Sequence, residues 1–396
     1  MGNNLQVKHI TAVLISVMLL LSIGCDQRKE LQQPNMMGLR VGQVLGAQSS
    51  NSAKTTAEFD KADKVRPFNF PADHGPHRSF ASEWWYLTLV METKQGGELG
   101  LQFTLFRQAL EPQKNPLVAK LPQRPWQSQQ LYLAHLSLSH VDTQQHVQLQ
   151  RLHREHAHNA TVTVEGGVNL RIEDWQLTQR SQTQWQLNAG QVGDFTVSLD
   201  LDLPSHKILQ GNQGLSAKGP DSASYYYSIP GIAVSGVVEQ GDSEYRVTGQ
   251  GWFDREWSTS VLGDHLTGWD WFAFHLDNGC YFMMFQLRRH DQQRDEYDYG
   301  VADCPGGTVR KQVFLGPKDF ELKPTNWWRD KRQQEWPVQW QLELSDPLLL
   351  GYQQMLIRAP FNAQLNEADI IYWEGVVDIL GDNRRLGRGY MELTGY

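Results

Sequence analysis

Trp84-Trp85-Tyr86-Leu87-Thr88-Leu89, followed by Leu101-Gln102-Phe103-Thr104-Leu105-Phe106-Arg107, returns later in the chain as Trp269-Asp270-Trp271-Phe272-Ala273-Phe274 and Phe282-Met283-Met284-Phe285-Gln286-Leu287-Arg288. Each copy reads as a hairpin ending in arginine. A second echo pairs Gly236-Val237-Val238-Glu239 and Gly249-Gln250-Gly251-Trp252-Phe253-Asp254 with Gly375-Val376-Val377-Asp378 and Gly387-Arg388-Gly389-Tyr390-Met391-Glu392. The first echo opens each half and the second closes it, so the chain is read as a divergent duplication. The halves run over residues 66–260 and 261–396.

Both halves are dominated by strands. Runs such as QLYLAHLSLSH, FTVSLDLDL and YRVTGQGWF are short, rich in β-formers and separated by Gly, Asn, Asp and Pro. Beyond a turn near Pro317 to Asp319, nothing shows a capped period of 3.6. About eight strands per half suit an up-and-down barrel, which closes its own edges and can hold one small ligand.

The N-terminal residues carry a different signal. Lys8 and His9 precede an apolar run from Ile10 to Leu21 that is too short to span a bilayer with margin, so residues 1–25 read as a signal peptide. Leu21-Ser22-Ile23-Gly24-Cys25 resembles the bacterial lipobox, with Ser22 where that pattern prefers Leu, and implies lipidation of Cys25. Asp26 directly after it implies retention in the inner membrane, with the outer membrane as the alternative. Residues 26–65 lack an apolar period and read as a flexible tether. The expectation is a lipid-anchored periplasmic protein. A formal net charge of -8 argues against a nucleic-acid partner.

With Cys25 carrying lipid, Cys280 and Cys304 remain in an oxidising compartment where pairing is expected. Gln292, midway between them, falls in the polar turn HDQQRDE, so a hairpin there sets the two cysteines opposite each other. The 14 Trp, 13 Tyr and 15 Phe supply either a bulky core or flat walls for a ligand.

Candidate chemistry centres on Asp254-Arg255-Glu256-Trp257. A period of two puts Asp254 and Glu256 on one face, about 7 Å apart, where two carboxyls could divide acid and base roles. Alignment of Asp254 with Glu392 through the repeat favours a structural reading, in which a carboxylate kept in both halves satisfies backbone groups at a barrel end. Arg255 is a candidate member of the site or an outside ion pair. Trp257 and Trp269 are candidate electron-rich walls. Alternation sends Trp269 and Trp271 to one face and Asp270 to the other, and turns Tyr226 away from Tyr225 and Tyr227. A barrel could bring His74 and His77 near His135, but no HExxH or close His-x-His pair supports zinc, and no metal or cofactor is expected. No G-x-S-x-G elbow occurs.

The elements His74…His77…Glu83-Trp84-Trp85-Tyr86, Tyr132-Leu133-Ala134-His135, Tyr225 to Pro230, Asp254 to Ser258 and the ending Gly389 to Tyr396 together resemble the AttH and carotenoid 1,2-hydratase (CrtC) family of predicted secreted hydrolases. The resemblance covers nearly all of the chain from Asp73. It implies an all-β protein of two tandem lipocalin-like antiparallel barrels. With that fold, the residues are read as binding an apolar or amphipathic, lipid- or isoprenoid-like molecule near the junction of the halves, with Trp257, Trp269, Asp270, Tyr226, His74, His135 and Trp85 as candidate contacts, and the family's hydrolases and hydratases make hydrolysis or hydration of it the expected chemistry. AttH itself is associated with an ABC transport system, so the competing expectation is a noncatalytic carrier or accessory component of an inner-membrane ABC transporter. The hydratase pattern places His where Arg255 stands, and Arg cannot act as a general acid or base near neutral pH.

Overall fold

Strand-forming runs in this chain alternate side chains between two faces, and in the central strands both faces carry large apolar groups. A computed structural model describes residues 59–112, 127–260, 262–307, 309–346, 352–368, 370–382 and 384–396. The expected signal peptide, Cys25 and the expected tether up to residue 58 lie outside the described residues. No α-helix occurs among the described residues.

The first half forms a 13-stranded antiparallel sheet. Its first strands are β1 (Ser82–Thr93), β2 (Glu98–Ala109), β3 (Gln130–His140) and β4 (Gln145–Arg154). The short β5 (Ala160–Thr163), β6 (Asn169–Ile172) and β7 (Trp175–Gln179) follow, then β8 (Gln184–Gln191) and β9 (Phe195–Asp202). It ends with β10 (Ile208–Leu209), β11 (Leu215–Gly219) and the long β12 (Ser222–Gln240) and β13 (Ser243–Ser258).

The second half forms a 10-stranded sheet. It contains β14 (Leu266–Leu276), β15 (Tyr281–Arg289), β16 (Tyr299–Gly306), β17 (Val309–Leu315) and β18 (Phe320–Arg329). Then come β19 (Glu335–Leu344), β20 (Gln354–Arg358), β21 (Leu365–Glu367), β22 (Ile371–Gly381) and β23 (Arg384–Thr394).

The two sheets share one topology. In the first, β1 pairs with the last strand, β13, and the path runs outward to β4 at one end and β5 at the other. In the second, β14 pairs with the last strand, β23, and the path ends at β17 and β18. Each is a meander stitched first strand to last, with its two ends between the fourth and fifth strands. The architecture is all-β, a near-barrel and a half-barrel of lipocalin-like form. The expected eight strands per half become thirteen and ten, because small polar segments such as Asn169-Leu170-Arg171-Ile172 add short pairings too brief to read as strands.

Each barrel is filled by its own side chains. Trp85, Leu87, Leu89 and Met91 on β1 and Leu99, Leu101, Phe103 and Leu105 on β2 fill the first, together with Tyr225, Tyr227, Phe253 and Trp257. Phe272, Phe274, Phe282, Met284, Trp336, Trp340 and Trp373 fill the second. The alternate residues of the same strands meet in a third apolar cluster, where Tyr86, Val90, Tyr226 and Trp252 from the first half pack on Trp271, Met283, Phe285 and Val376 from the second. Contact is so close at Gly100 that a Cβ there would run into Val376 and the Tyr390 ring.

Two local features differ from the sequence reading. The last residues of the expected tether are docked: Phe59 and Ala62 are buried, and the Asp60 amide donates to the Ser79 carbonyl at 2.9 Å. A 3-10 turn at Ala72–His74 carries the chain across the first barrel. The disulfide, by contrast, is as expected: the Cys280 and Cys304 sulfurs are bonded across the β15–β16 hairpin, beside the facing pair Tyr281 and Asp303.

Gly100→Ala should lower stability by about 1–3 kcal/mol through overpacking between the halves. The check is a urea denaturation midpoint, with the slope unchanged from wild type.

Candidate active site

Side-chain alternation along β13 divides Asp254-Arg255-Glu256-Trp257 between two environments. Arg255 and Trp257 point into the first barrel, while Asp254 and Glu256 line a cavity on the opposite face. The cavity opens to solvent and receives residues from both halves.

Its geometry follows the ladders. Tyr86 faces Asp254 and Trp84 faces Glu256 across β1 and β13, while Thr104 and Phe106 on β2 sit opposite Tyr86 and Trp84. On β12, Ser228 faces Asp254 and Tyr226 faces Glu256. The second half repeats the arrangement, with Glu392 facing Trp271 on β14 and Glu374 on β22, and Tyr372 facing Thr394.

Asp254 accepts hydrogen bonds from the Tyr226 hydroxyl at 2.6 Å, the Trp252 indole at 2.7 Å and Ser228. Burial outweighs those three donors and pushes its carboxyl up to about 7, helped by the nearby Glu256 charge. Glu392 accepts from the Trp269 indole at 2.9 Å, and burial pushes it up to about 7 as well, against the hydrogen bonds of Trp269 and Tyr86. Burial also raises Glu374, which accepts from the Tyr86 hydroxyl, well above the usual carboxyl range. Glu256 instead pairs with Lys218, whose ammonium lies 5.6 Å from the centre of the Trp84 ring. The cavity therefore holds two carboxyls poised near neutrality and one ion pair.

The two halves exchange hydrogen bonds across this site. Tyr86 of the first reaches Glu374 of the second, and the Trp271 indole of the second donates to the Tyr226 hydroxyl of the first at 3.2 Å.

Tyr226 and Trp269 join Asp254 and Glu256 in the cavity. The structural expectation for Asp254 and Glu392 is corrected in kind: their partners are hydroxyl and indole side chains inside a cavity, not backbone groups at a barrel end.

Other candidate contacts lie elsewhere. Arg255 is fully buried in the first barrel, where it pairs with Glu83, donates to the Gly75 carbonyl at 2.6 Å and stacks 3.8 Å from the Trp85 ring centre. Trp85 and Trp257 face the same interior because their parity on β1 and β13 is opposite to that of Trp84 and Glu256. Asp270 points into the second half and bonds Tyr396 at 2.7 Å and Gln286 at 3.0 Å.

The three histidines do not converge. His74 bonds Tyr227 in the first barrel, where burial holds it neutral, lowering it to about 3. His77 stacks on Trp257 at 3.7 Å. His135 leaves the first barrel on the other face of its wall and bonds the Tyr372 hydroxyl at 2.8 Å, behind the cavity. No cluster of His, Cys, Asp and Glu fit to hold a metal occurs among the described residues.

Sequence reading did not single out Trp84, Tyr86, Lys218, Tyr372 or Glu374. The repeat held the needed signal, because aligning Asp254 with Glu392 also aligns their cross-strand partners, Tyr86 with Trp271 and Ser228 with Glu374.

The fold and site together define a tandem-barrel protein with an acid-bearing, aromatic-walled cavity shared by two duplicated halves. The chain belongs to the AttH-like family, whose model matches residues 61–396. A crystal structure of an AttH candidate from Nitrosomonas europaea superposes with a TM-score of 0.73 at 31% identity, covering 85% of this chain and 100% of that one. Kievitone hydratase from Nectria haematococca superposes at 0.61 with 12% identity, covering 85% of this chain and 95% of its own. CghA with Sch210972 does so at 0.51 with 13% identity, covering 90% of this chain and 97% of its own. No curated protein matches the sequence.

Glu83 supplies a contrasting test. It is fully buried between Arg107 and Arg255, and those charges hold its carboxyl well below the usual range although burial opposes them. Glu83→Gln leaves two buried guanidiniums without a counter-charge and should cost about 3–5 kcal/mol. Urea unfolding at pH 7 measures this loss.

Proposed function

We propose that this protein adds water across a carbon–carbon double bond of an apolar or amphipathic, isoprenoid-like molecule, with Asp254 as the proton donor. The observation that carries this reading is the pair Asp254 and Glu392. They are two carboxyls from two different halves, both raised to about 7 and both lining one cavity walled by Trp84, Phe106, Trp269 and Trp271. Hydrating an alkene without a cofactor needs a neutral acid, a wall that tolerates a carbocation, and a base for the incoming water.

With both carboxyls raised to about 7, molecules near neutral pH include a form with Asp254 protonated and Glu392 ionised, and that form is the productive one. Asp254 gives its proton to one alkene carbon as the π bond breaks and a C–H bond forms. The cation on the neighbouring carbon lies among the indole and phenol rings, with the Glu256 carboxylate close by. Water forms the C–O bond and releases a proton to Glu392, which returns it to Asp254. The net change is the addition of one water. Arg255 in place of the hydratase histidine does not weigh against this chemistry, because its side chain lies on the other side of the barrel wall.

The fold neighbour called kievitone hydratase agrees with this assignment in reaction type. A lipid on Cys25 in the periplasm, as the sequence suggests, would hold the cavity within reach of membrane-borne alkenes.

Incubating the protein with geraniol, farnesol or geranylgeraniol in H2(18)O should give an alcohol carrying one labelled oxygen, detected by mass spectrometry. Absence of label with all three would overturn hydration and favour a carrier that binds without chemistry. Asp254→Asn should lower the rate by about a hundredfold or more.

The pH dependence of kcat/KM should be bell-shaped about pH 7, since both acids are protonated below it and both ionised above it. Stability should change with pH in a definite direction. A carboxyl raised from 3.8 to about 7 binds its proton more tightly in the folded chain, so its contribution is complete below about pH 4 and is lost as pH rises through 7. Asp254→Asn should therefore narrow the fall in stability between pH 5 and 8, read as thermal midpoints across that range.

A further inference from the structure

The cavity changes character in layers along the strands. Asp254, Tyr86 and Thr104 occupy one level, and Glu256, Trp84, Phe106 and Tyr226 the next. Ser258 and Ser82 face each other on a third level, two residues further along β13 and β1. Ser224, two residues before Tyr226 on β12, stands beside them, and all three line the cavity.

Their hydroxyls are not equivalent. Ser82 donates to the Ser258 carbonyl at 3.2 Å, while Ser258 donates to the Ala223 carbonyl at 2.7 Å and accepts the Ser260 amide at 2.9 Å, which leaves Ser82 Oγ the better acceptor and Ser258 Oγ one lone pair. Ser224 is 1% exposed and its Oγ has no hydrogen-bond partner. A buried hydroxyl left unpaired costs free energy, and a ligand group that pairs with it recovers that cost. Among the described lining residues the single cation is Lys218, already taken by Glu256, so an anionic head group would find no spare counter-charge.

We infer that the serine level binds an uncharged hydroxyl head group of the substrate while its double bond lies at the acid level. Ser224 donates to the head-group oxygen, and the head-group O–H donates to Ser82 or Ser258. The acid and serine levels are four residues apart on an extended strand, about 14 Å, or roughly ten to eleven staggered carbon–carbon bonds. The aromatic level between them takes the apolar chain. This inference rests on the hydration reading for what happens at the acid level, but head-group binding requires no turnover.

The test measures binding of 1-alkanols from eight to fourteen carbons, and of 1-chlorodecane beside 1-decanol, by quenching of intrinsic tryptophan fluorescence. Affinity should rise with chain length and level off at ten to twelve carbons. Ser224→Ala should weaken 1-decanol about three- to tenfold relative to 1-chlorodecane, the change expected from one neutral hydrogen bond. Because Ser224 Oγ is buried with no partner in the protein, the variant should keep or raise the wild-type thermal midpoint. A Ser224→Ala variant that weakens both ligands equally or neither, or an affinity that climbs without a break through fourteen carbons, overturns the inference. Labelled-water incorporation into farnesol is measured on the same samples. Loss of head-group preference with intact incorporation sinks the head-group site alone, and intact preference without incorporation sinks the hydration reading alone.

Discussion

Burial on both faces of the central strands is the constraint from which the rest follows. β1, β2, β12 and β13 present one set of side chains to their own barrel and the alternate set to the second half, and β14, β15, β22 and β23 do the same in return. A one-residue slip in any of them would exchange core for interface. The same two-sided burial desolvates the carboxyls between the halves, and that desolvation raises Asp254, Glu374 and Glu392.

One barrel wall therefore carries carboxyls in opposite states. Glu83 is held ionised inside the barrel by two arginines, whereas Asp254, on the outer face of the strand paired with it, meets only neutral donors and keeps its proton near neutrality. Desolvation acts on both, and the sign of the outcome is set by the partner supplied. The arginines serve the wall, and the hydroxyls and indoles serve the cavity. This division explains why adjacent residues, Asp254 and Arg255, have unrelated roles.

Much of this was legible in the sequence because period two and the internal repeat are strong signals. The echoed hairpins mark the two halves, the alternation in Asp254-Arg255-Glu256 separates the carboxyls from the guanidinium, and Tyr226 is set apart from its neighbours. Two-sided burial hid the rest. When both faces of a strand are apolar and aromatic, nothing local tells which indole meets a ligand, so Trp257 and Trp85 read as well as Trp84. The histidines failed for a related reason: His74 and His135 stand on opposite sides of one wall, which spacing along the chain does not reveal. Tyr86 and Glu374 meet only because the halves face each other, a contact between residues 288 positions apart.

The reciprocal hydrogen bonds across the cavity carry a historical implication. Tyr86 and Trp271 hold matching positions in the two halves, as do Tyr226 and Tyr372, and each half reaches a partner in the other. The donors match across the repeat while their acceptors, Glu374 and Tyr226, do not, so the exchange is quasi-symmetric, as in a diverged pair of once identical subunits. A single ancestral half would have built such a cavity only by meeting its own copy, with two identical acids confronting each other. Fusion of the copies into one chain freed each acid to diverge, so that one position is now aspartate and the other glutamate. In a fused chain symmetry no longer forces the two acid positions to be alike, so under the proposed chemistry the donor and acceptor roles can be tied to fixed residues.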